Sequence, residues 1–161
     1  MYHLNKIELK NILTNLFKEQ KLAVLSTQSK EGPYSSLVAF AATEDLKYIL
    51  FATTRATRKY ANMTDNASVS LLVDNRGNDD EDFYKAVAAT ATGKAIEVKD
   101  FEKEGLLNIY LEKLPYLKEF VTSPTCALLK VTVETYYTVN RFQNVMELHI
   151  SHEDSNSHLK K

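Results

Sequence analysis

Apolar residues recur at helical spacing over residues 6–18, where Ile7, Leu9, Ile12, Leu13, Leu16 and Phe17 are separated by lysines and asparagines. That period predicts an amphipathic N-terminal helix. The pattern then shortens to that of strands. Residues 22–27 form an apolar run, Lys30-Glu-Gly-Pro33 supplies a turn, and residues 34–42 and 47–53 read as a second and third strand joined at 43–46. No connection between these three is long enough for a parallel crossover, so they predict an antiparallel meander.

A short helix is expected over 55–63, with Thr64-Asp-Asn66 as its exit, and a fourth strand over 67–73. Residues 74–82 form a polar loop whose acidic run is expected to face water. Residues 83–98 read as one long strand, bent at Gly93. Helical period returns over 100–113, Pro115 interrupts it, and residues 116–121 add another helical turn. A long alternating strand follows over 126–139, and residues 142–150 add a last one. Six or seven strands, mostly sequential neighbours with short helices between them, predict a mainly β protein closed into a small barrel. Residues 1–150 are expected to form a single domain, followed by a polar, disordered tail over 151–161.

Composition narrows the function more than the fold. The 161 residues carry 20 basic and 21 acidic side chains, a formal net charge of −1. General binding to nucleic acid or to an anionic membrane needs a positive surplus, so neither partner is expected. The single cysteine, Cys126, excludes an intrachain disulfide and fits a reducing compartment. It opens the apolar run 126–129 and is expected to pack there. No apolar run approaches the ~20 residues of a membrane helix, and residues 1–6 lack the apolar core of a secretory leader; the expected location is the cytoplasm.

Candidate chemistry concentrates in Phe51-Ala-Thr-Thr-Arg-Ala-Thr-Arg-Lys-Tyr-Ala-Asn62. Hydroxyls, guanidinium forks and an ammonium gather where a strand hands over to a helix, an arrangement suited to a phosphate monoester. On its own the motif reads equally well as a solvated basic helix start. The histidines are His3, His149, His152 and His158; the i,i+3 pair His149 and His152 has no matching carboxylate or cysteine pair, so a solvated tail is favoured and no metal site is expected. There is no glycine-rich phosphate loop and no serine in a nucleophile elbow. Tyr136 and Tyr137 fall on opposite faces of their strand.

Three pieces, in this order, resemble the FMN-binding split barrels, the family of pyridoxamine 5′-phosphate oxidase and its relatives: Gly32-Pro-Tyr-Ser-Ser-Leu-Val-Ala-Phe40, Leu50-Phe-Ala-Thr-Thr-Arg-Ala-Thr-Arg-Lys59 and residues 62–73. The resemblance covers roughly residues 20–98. It implies a split β-barrel of Greek-key type with six or seven antiparallel strands. Arg58 and Lys59 would neutralise the phosphate of FMN, Thr57 would donate a hydroxyl hydrogen bond to it, and Thr53, with Phe51 and Ala52 before it, would sit beside the phosphate or ribityl chain. Arg55 is either a further phosphate contact or an exposed arginine. Ser35, Ser36, Leu37 and Val38 would line the isoalloxazine, although Leu37 and Val38 fit plain barrel core equally well. The family places its flavin across a two-fold homodimer interface. Arg141 and Phe142 would then either approach the flavin of the partner subunit or simply begin a strand.

The chain also departs from the family pattern. Where the oxidases of pyridoxamine phosphate carry basic residues on the second strand, Ser36 and Ala41 stand here, and Arg141-Phe142-Gln143 lacks the histidine of their Arg-x-His arrangement. A substrate phosphate needs its own cationic clamp, so oxidation of pyridoxamine phosphate is not expected. The expected function is a small FMN-dependent oxidoreductase of unnamed substrate, with a reduced nicotinamide as one candidate electron donor. The alternatives are a non-catalytic flavin carrier or sensor, and a relative that holds deazaflavin or haem on the same barrel.

Overall fold

The N-terminal helix starts where a capping box allows it to. In the computed structural model, which describes residues 4–141 and 144–153, Asn5 Oδ1 accepts from the Glu8 N–H at 2.9 Å and Glu8 Oε2 accepts from the Asn5 N–H at 2.8 Å. Helix α1 (Lys6–Glu19) then buries Leu9, Leu13, Leu16 and Phe17, the predicted stripe, against the barrel. Ile7 belongs to that stripe by spacing but stays exposed.

Strands β1 (Leu22–Ser29), β2 (Gly32–Ala42) and β3 (Tyr48–Thr54) form the expected antiparallel meander. Helix α2 (Arg58–Asp65) follows, then β4 (Ser68–Asp74), the short helix α3 (Asp82–Lys85) and β5 (Val87–Glu97). Helix α4 (Asp100–Lys113), a 3-10 turn (Pro115–Leu117) and α5 (Lys118–Thr122) lead to β6 (Cys126–Asn140) and β7 (Asn144–His149). β1 pairs with β2 and β4, β4 with β5, β5 with β6, and β6 with β3, which closes a six-stranded antiparallel barrel. β7 is the extra strand and hairpins onto the distal half of β6. This is the split barrel expected from the sequence.

The long strand starts later than its composition suggests. Phe83–Lys85 are helical because the Asp82 carboxylate accepts the backbone N–H groups of Gly77, Asn78 and Asp79, folding the preceding loop back on itself. One carboxylate of the acidic run thus serves its own loop rather than only facing water. The bend at Gly93 is present: the β5–β6 register shifts between Thr92 and Gly93. A Cβ at Gly93 would lie 2.1 Å from the Thr132 carbonyl oxygen, so only glycine fits there.

Inside the barrel Phe17 of α1 meets Phe40 edge-on at 5.7 Å and Tyr136 at 5.6 Å. A second apolar layer, including Ala41, Leu50 and Leu128, lies on the outer wall beneath α4 and Val121. Cys126 is buried, as expected. Among the described residues no helix is long and apolar enough to cross a membrane.

One seam in the wall is incomplete. β1 pairs with eight β2 residues, Gly32–Ala39, and β6 with all seven of β3, yet β2 and β3 pair only through Phe40–Ala42 and Ile49–Phe51. From Ala39 back to Gly32, the β2 edge that faces β3 has no ladder partner among the described residues.

Candidate functional site

Helix α2 begins at this seam. Thr57 is its N-cap: its hydroxyl oxygen accepts from the Tyr60 N–H at 3.3 Å and its proton points to the Thr54 carbonyl at 3.1 Å. Thr53, buried at the end of β3, shares a 2.8 Å hydrogen bond with the Thr57 hydroxyl. The two threonines knit the turn together, and both hydroxyls also lie within hydrogen-bond reach of Thr54 O, at 3.2 Å and 3.1 Å. With Tyr60 N capped and Ala61 N bonded to Thr57 O, the open donors of the first turn are the N–H groups of Arg58 and Lys59. No acidic residue occupies that turn. Among the described residues neither Arg58 nor Lys59 makes an ion pair.

Facing this turn is β2. The Arg58 guanidinium lies 5.3 Å from the centroid of the Tyr34 ring, which brings the start of α2 up to the unpaired edge. Tyr34, Ser36 and Val38 alternate onto the inner face of β2, with Ser35 and Leu37 on the outer. The structure therefore divides the expected flavin-lining segment. Val38 is core, whereas Leu37 is 65% exposed on the outer wall. The Ser36 hydroxyl is buried with no hydrogen-bond partner among the described residues. Phe51 is fully buried in the barrel and Ala52 packs toward the layer under α4, so both present backbone rather than side chain to the seam. Asn62 donates from Nδ2 to Thr27 Oγ1 at 3.0 Å, docking α2 on β1.

Arg55 is neither a free cation nor simply exposed. Its Nε and Nη2 donate to Glu97 Oε1, and its Nη1 donates to the Pro124 carbonyl at 2.9 Å. The second Glu97 oxygen accepts from the Tyr60 hydroxyl at 2.8 Å. The Arg55 hydrogen bond holds the Glu97 carboxyl below the usual glutamate range, and the bond to Glu97 pushes the Tyr60 phenol up. Burial raises the Cys126 thiol, against the pull of Arg55 and Lys103.

Other expected residues lie elsewhere. Arg141 is exposed at positive φ in the β6–β7 turn. That turn follows Asn140, which is paired with Val87 at the opposite end of β5 from Glu97. Ten residues of strand, on the order of 30 Å, separate those ends, so one subunit does not bring Arg141 to α2. Phe142, Gln143, His3 and His158 lie outside the described residues. His149 and His152 are both exposed, and each makes one polar contact: His149 Nδ1 meets Thr135 Oγ1 at 3.1 Å, while His152 Nε2 lies 2.7 Å from Val133 O with its ring against Tyr48. Among the described residues no three metal-ligating side chains converge. A hollow of about 1090 Å³ between α1, α4 and the β2–β3 hairpin contains none of the seam residues.

Tyr34, Tyr60 and Glu97 were not singled out by sequence reasoning. Tyr34 shares the strand face of Ser36, a signal available from alternation. Glu97 lies 42 residues from Arg55, and only barrel closure brings the two strand ends together.

The profile of the pyridoxamine 5′-phosphate oxidase family matches residues 9–140. Among solved structures, a heme binding protein from Mycobacterium smegmatis is similar at a TM-score of 0.77 and 12% identity, over 92% of this chain and 60% of that one. General Stress Protein 26 from Bacillus anthracis str. Sterne is similar at 0.67 and 23% identity, over 88% and 98% of the two chains. A FAD-binding protein from Mesorhizobium loti follows at 0.64 and 15%, over 84% and 92%. This chain thus spans three-fifths of the Mycobacterium protein but nearly all of the other two. At these identities the likenesses establish the fold. No curated protein matches in sequence.

Proposed function

This chain belongs to the pyridoxamine 5′-phosphate oxidase family, and we propose that it holds FMN at the seam between β2 and α2 and acts as a small cytoplasmic flavin-dependent oxidoreductase. The observation that carries the reading is the conjunction at that seam. The contact of Arg58 with Tyr34 brings the start of α2, where Arg58, Lys59 and two N–H groups lack partners among the described residues, up to a β2 edge whose backbone groups lack ladder partners among them. A phosphate dianion matches the two charges of Arg58 and Lys59. Thr53 and Thr57 would hold the turn in shape, their protons already directed inward. The unpaired β2 edge and the orphaned Ser36 hydroxyl supply hydrogen-bonding groups for a polar ring edge. The described seam residues offer cations and N–H groups and include no histidine, so they fit a flavin phosphate better than a haem iron.

When bound, the flavin would supply hydride or single-electron transfer at its N5. The chain's own contribution is to bind and orient. Arg58 and Lys59 fix the phosphate end, and the β2 edge fixes the ring. No basic residue stands at positions 36 or 41, so a phosphorylated substrate has no second clamp on β2, and pyridoxamine phosphate is not the substrate we expect.

We further propose a homodimer, formed by one domain ending near residue 150, whose contact is the outer face of β2, β1 and β4. There the register aligns Leu37, Val24 and Leu72, with Leu22 beside Ala39. Leu22 and Leu37 are 55% and 65% exposed, a costly surface for a lone subunit. Pairing would also carry Arg141 of one subunit toward the flavin of the other.

Titration of the purified protein with FMN and riboflavin tests the reading. FMN is expected to bind at least tenfold more tightly than riboflavin, and Arg58→Ala or Lys59→Ala to erase most of that preference. Equal affinity for the two flavins in the wild type would sink the phosphate assignment. Bleaching of the bound flavin by NADH or NADPH in anaerobic mixing, followed by multiple turnovers with an acceptor, would mark an enzyme rather than a carrier.

A further inference from the structure

The basic motif contains a third cation that the phosphate reading does not use. Arg55 reaches away from the seam to Glu97, whose other oxygen holds the Tyr60 hydroxyl. Arg55 is tied again by its backbone, whose N–H donates to Thr125 O at 3.1 Å, and by Nη1 on Pro124 O. Four segments thus meet around one ion pair: the β3–α2 turn, the first turn of α2 and the end of β5 at the Glu97 carboxylate, and the α5–β6 connection at Arg55.

We propose that Glu97, with Arg55 and Tyr60, is a positioning network that sets the angle of the first α2 turn toward the flavin phosphate. Tyr60 follows Lys59 directly, and its backbone N–H is the one capped by Thr57. A tether on the Tyr60 hydroxyl therefore limits rotation of α2 about its own cap. Rotation of that turn would carry Arg58, Lys59 and their N–H groups off the phosphate together, whereas the ring contacts on β2 would stay in place. Glu97 also cancels the charge of Arg55, leaving the turn with two uncompensated cations, the number a dianion needs. Apart from the Thr57 cap on Tyr60 N, the network's hydrogen bonds do not reach Arg58, Lys59 or the β2 edge, so it acts through α2. This inference rests on the phosphate reading.

The test compares FMN with riboflavin, because a purely structural role would lower both affinities alike. Tyr60→Phe removes the tether without changing charge or packing volume. It is expected to weaken FMN about fivefold and leave riboflavin within twofold, so the FMN preference falls. Glu97→Gln retains an acceptor for one partner only, and is expected to lower the same preference at least as much. Arg55→Lys, which keeps the charge but not the fork, should recover part of what Arg55→Ala loses. Arg58→Ala is the control. If Arg58→Ala collapses the preference and Tyr60→Phe and Glu97→Gln do not, the positioning inference is overturned while the phosphate site stands. If Arg58→Ala also leaves the preference intact, the phosphate reading itself has failed.

Discussion

The Ser36 hydroxyl offers a substitution whose effects on stability and on binding have opposite signs. Ser36 pairs with Leu25 across the β1–β2 ladder, its side chain turned to the inner face with Oγ buried and unpartnered. Burying a hydroxyl without a hydrogen bond costs about 1–3 kcal/mol by mutational measure. Ser36→Ala removes that oxygen and leaves little cavity, so the apoprotein should gain roughly 1 kcal/mol. For a chain of this size that corresponds to a rise of about 2–4 °C in Tm. If the flavin ring supplies the missing partner, the same change removes a hydrogen bond worth about 1 kcal/mol from the complex, or roughly a fivefold weaker FMN. Differential scanning calorimetry on flavin-free protein and fluorescence quenching titration with FMN read the two effects separately. An apoprotein Tm that falls means the hydroxyl is satisfied in solution, and the premise is wrong. A higher Tm with unchanged FMN affinity means the hydroxyl is orphaned but faces no flavin.

Three further substitutions probe the frame around the seam. Gly93→Ala drives a Cβ to 2.1 Å from Thr132 O; a loss of about 3 kcal/mol in chemical denaturation is expected, and a loss under 1 kcal/mol would mean the bulge readily moves. Lys113 donates to Phe17 O and Gln20 O at the end of α1 and lies 3.8 Å from the Phe40 ring centroid. Burial lowers it to about 8 from an ordinary 10.5. Between those values the unfolded chain holds a proton that the folded chain has released, so this contribution grows as pH rises from 8 to 10.5 and is lost as pH falls through 8. Denaturation midpoints at pH 7 to 10 should therefore climb more steeply in the wild type than in Lys113→Met, and parallel curves would refute the burial argument. Leu37→Glu places a charge on the proposed contact face and should yield a monomer in sedimentation; an unchanged dimer would move the interface elsewhere.

The parts of the fold that were legible in the sequence are those set by local period. Helix α4 matches its predicted bounds, the three-strand meander follows from short connections, and Gly93 announced its bend. What escaped was set by contacts across the barrel. Phe83 and Tyr84 are aromatics that suit a strand, but the Asp82 carboxylate gathers three N–H groups and turns the chain into a helix first. His152, seemingly tail, is drawn onto Val133 O and Tyr48. At the candidate site, residue types were readable and roles were not: alternation could say that Ser36 and Leu37 oppose one another, but not which face lies inside.

The same limit explains why three basic residues in five positions cannot be counted as three ligands. Arg55, Arg58 and Lys59 are equivalent in sequence, and the division between them comes from Glu97, placed beside Arg55 only when β5 runs down the barrel to α2. Had Glu97 paired with Arg58 instead, the seam would hold one free cation at the edge of β2 and a dianion would be poorly matched. The incomplete β2–β3 ladder works in the same direction. A strand edge without partners forgoes ladder hydrogen bonds whose net worth over bonds to water is roughly 1 kcal/mol each. A ligand that pairs with the β2 edge while its phosphate meets Arg58 and Lys59 recovers both deficits at once. Neither deficit alone selects a flavin, since a loose β2 edge also invites another strand and a basic helix start also binds any anion. Their adjacency, at a distance set by the Arg58 contact with Tyr34, is what favours one molecule with a planar polar ring at one end and a phosphate at the other.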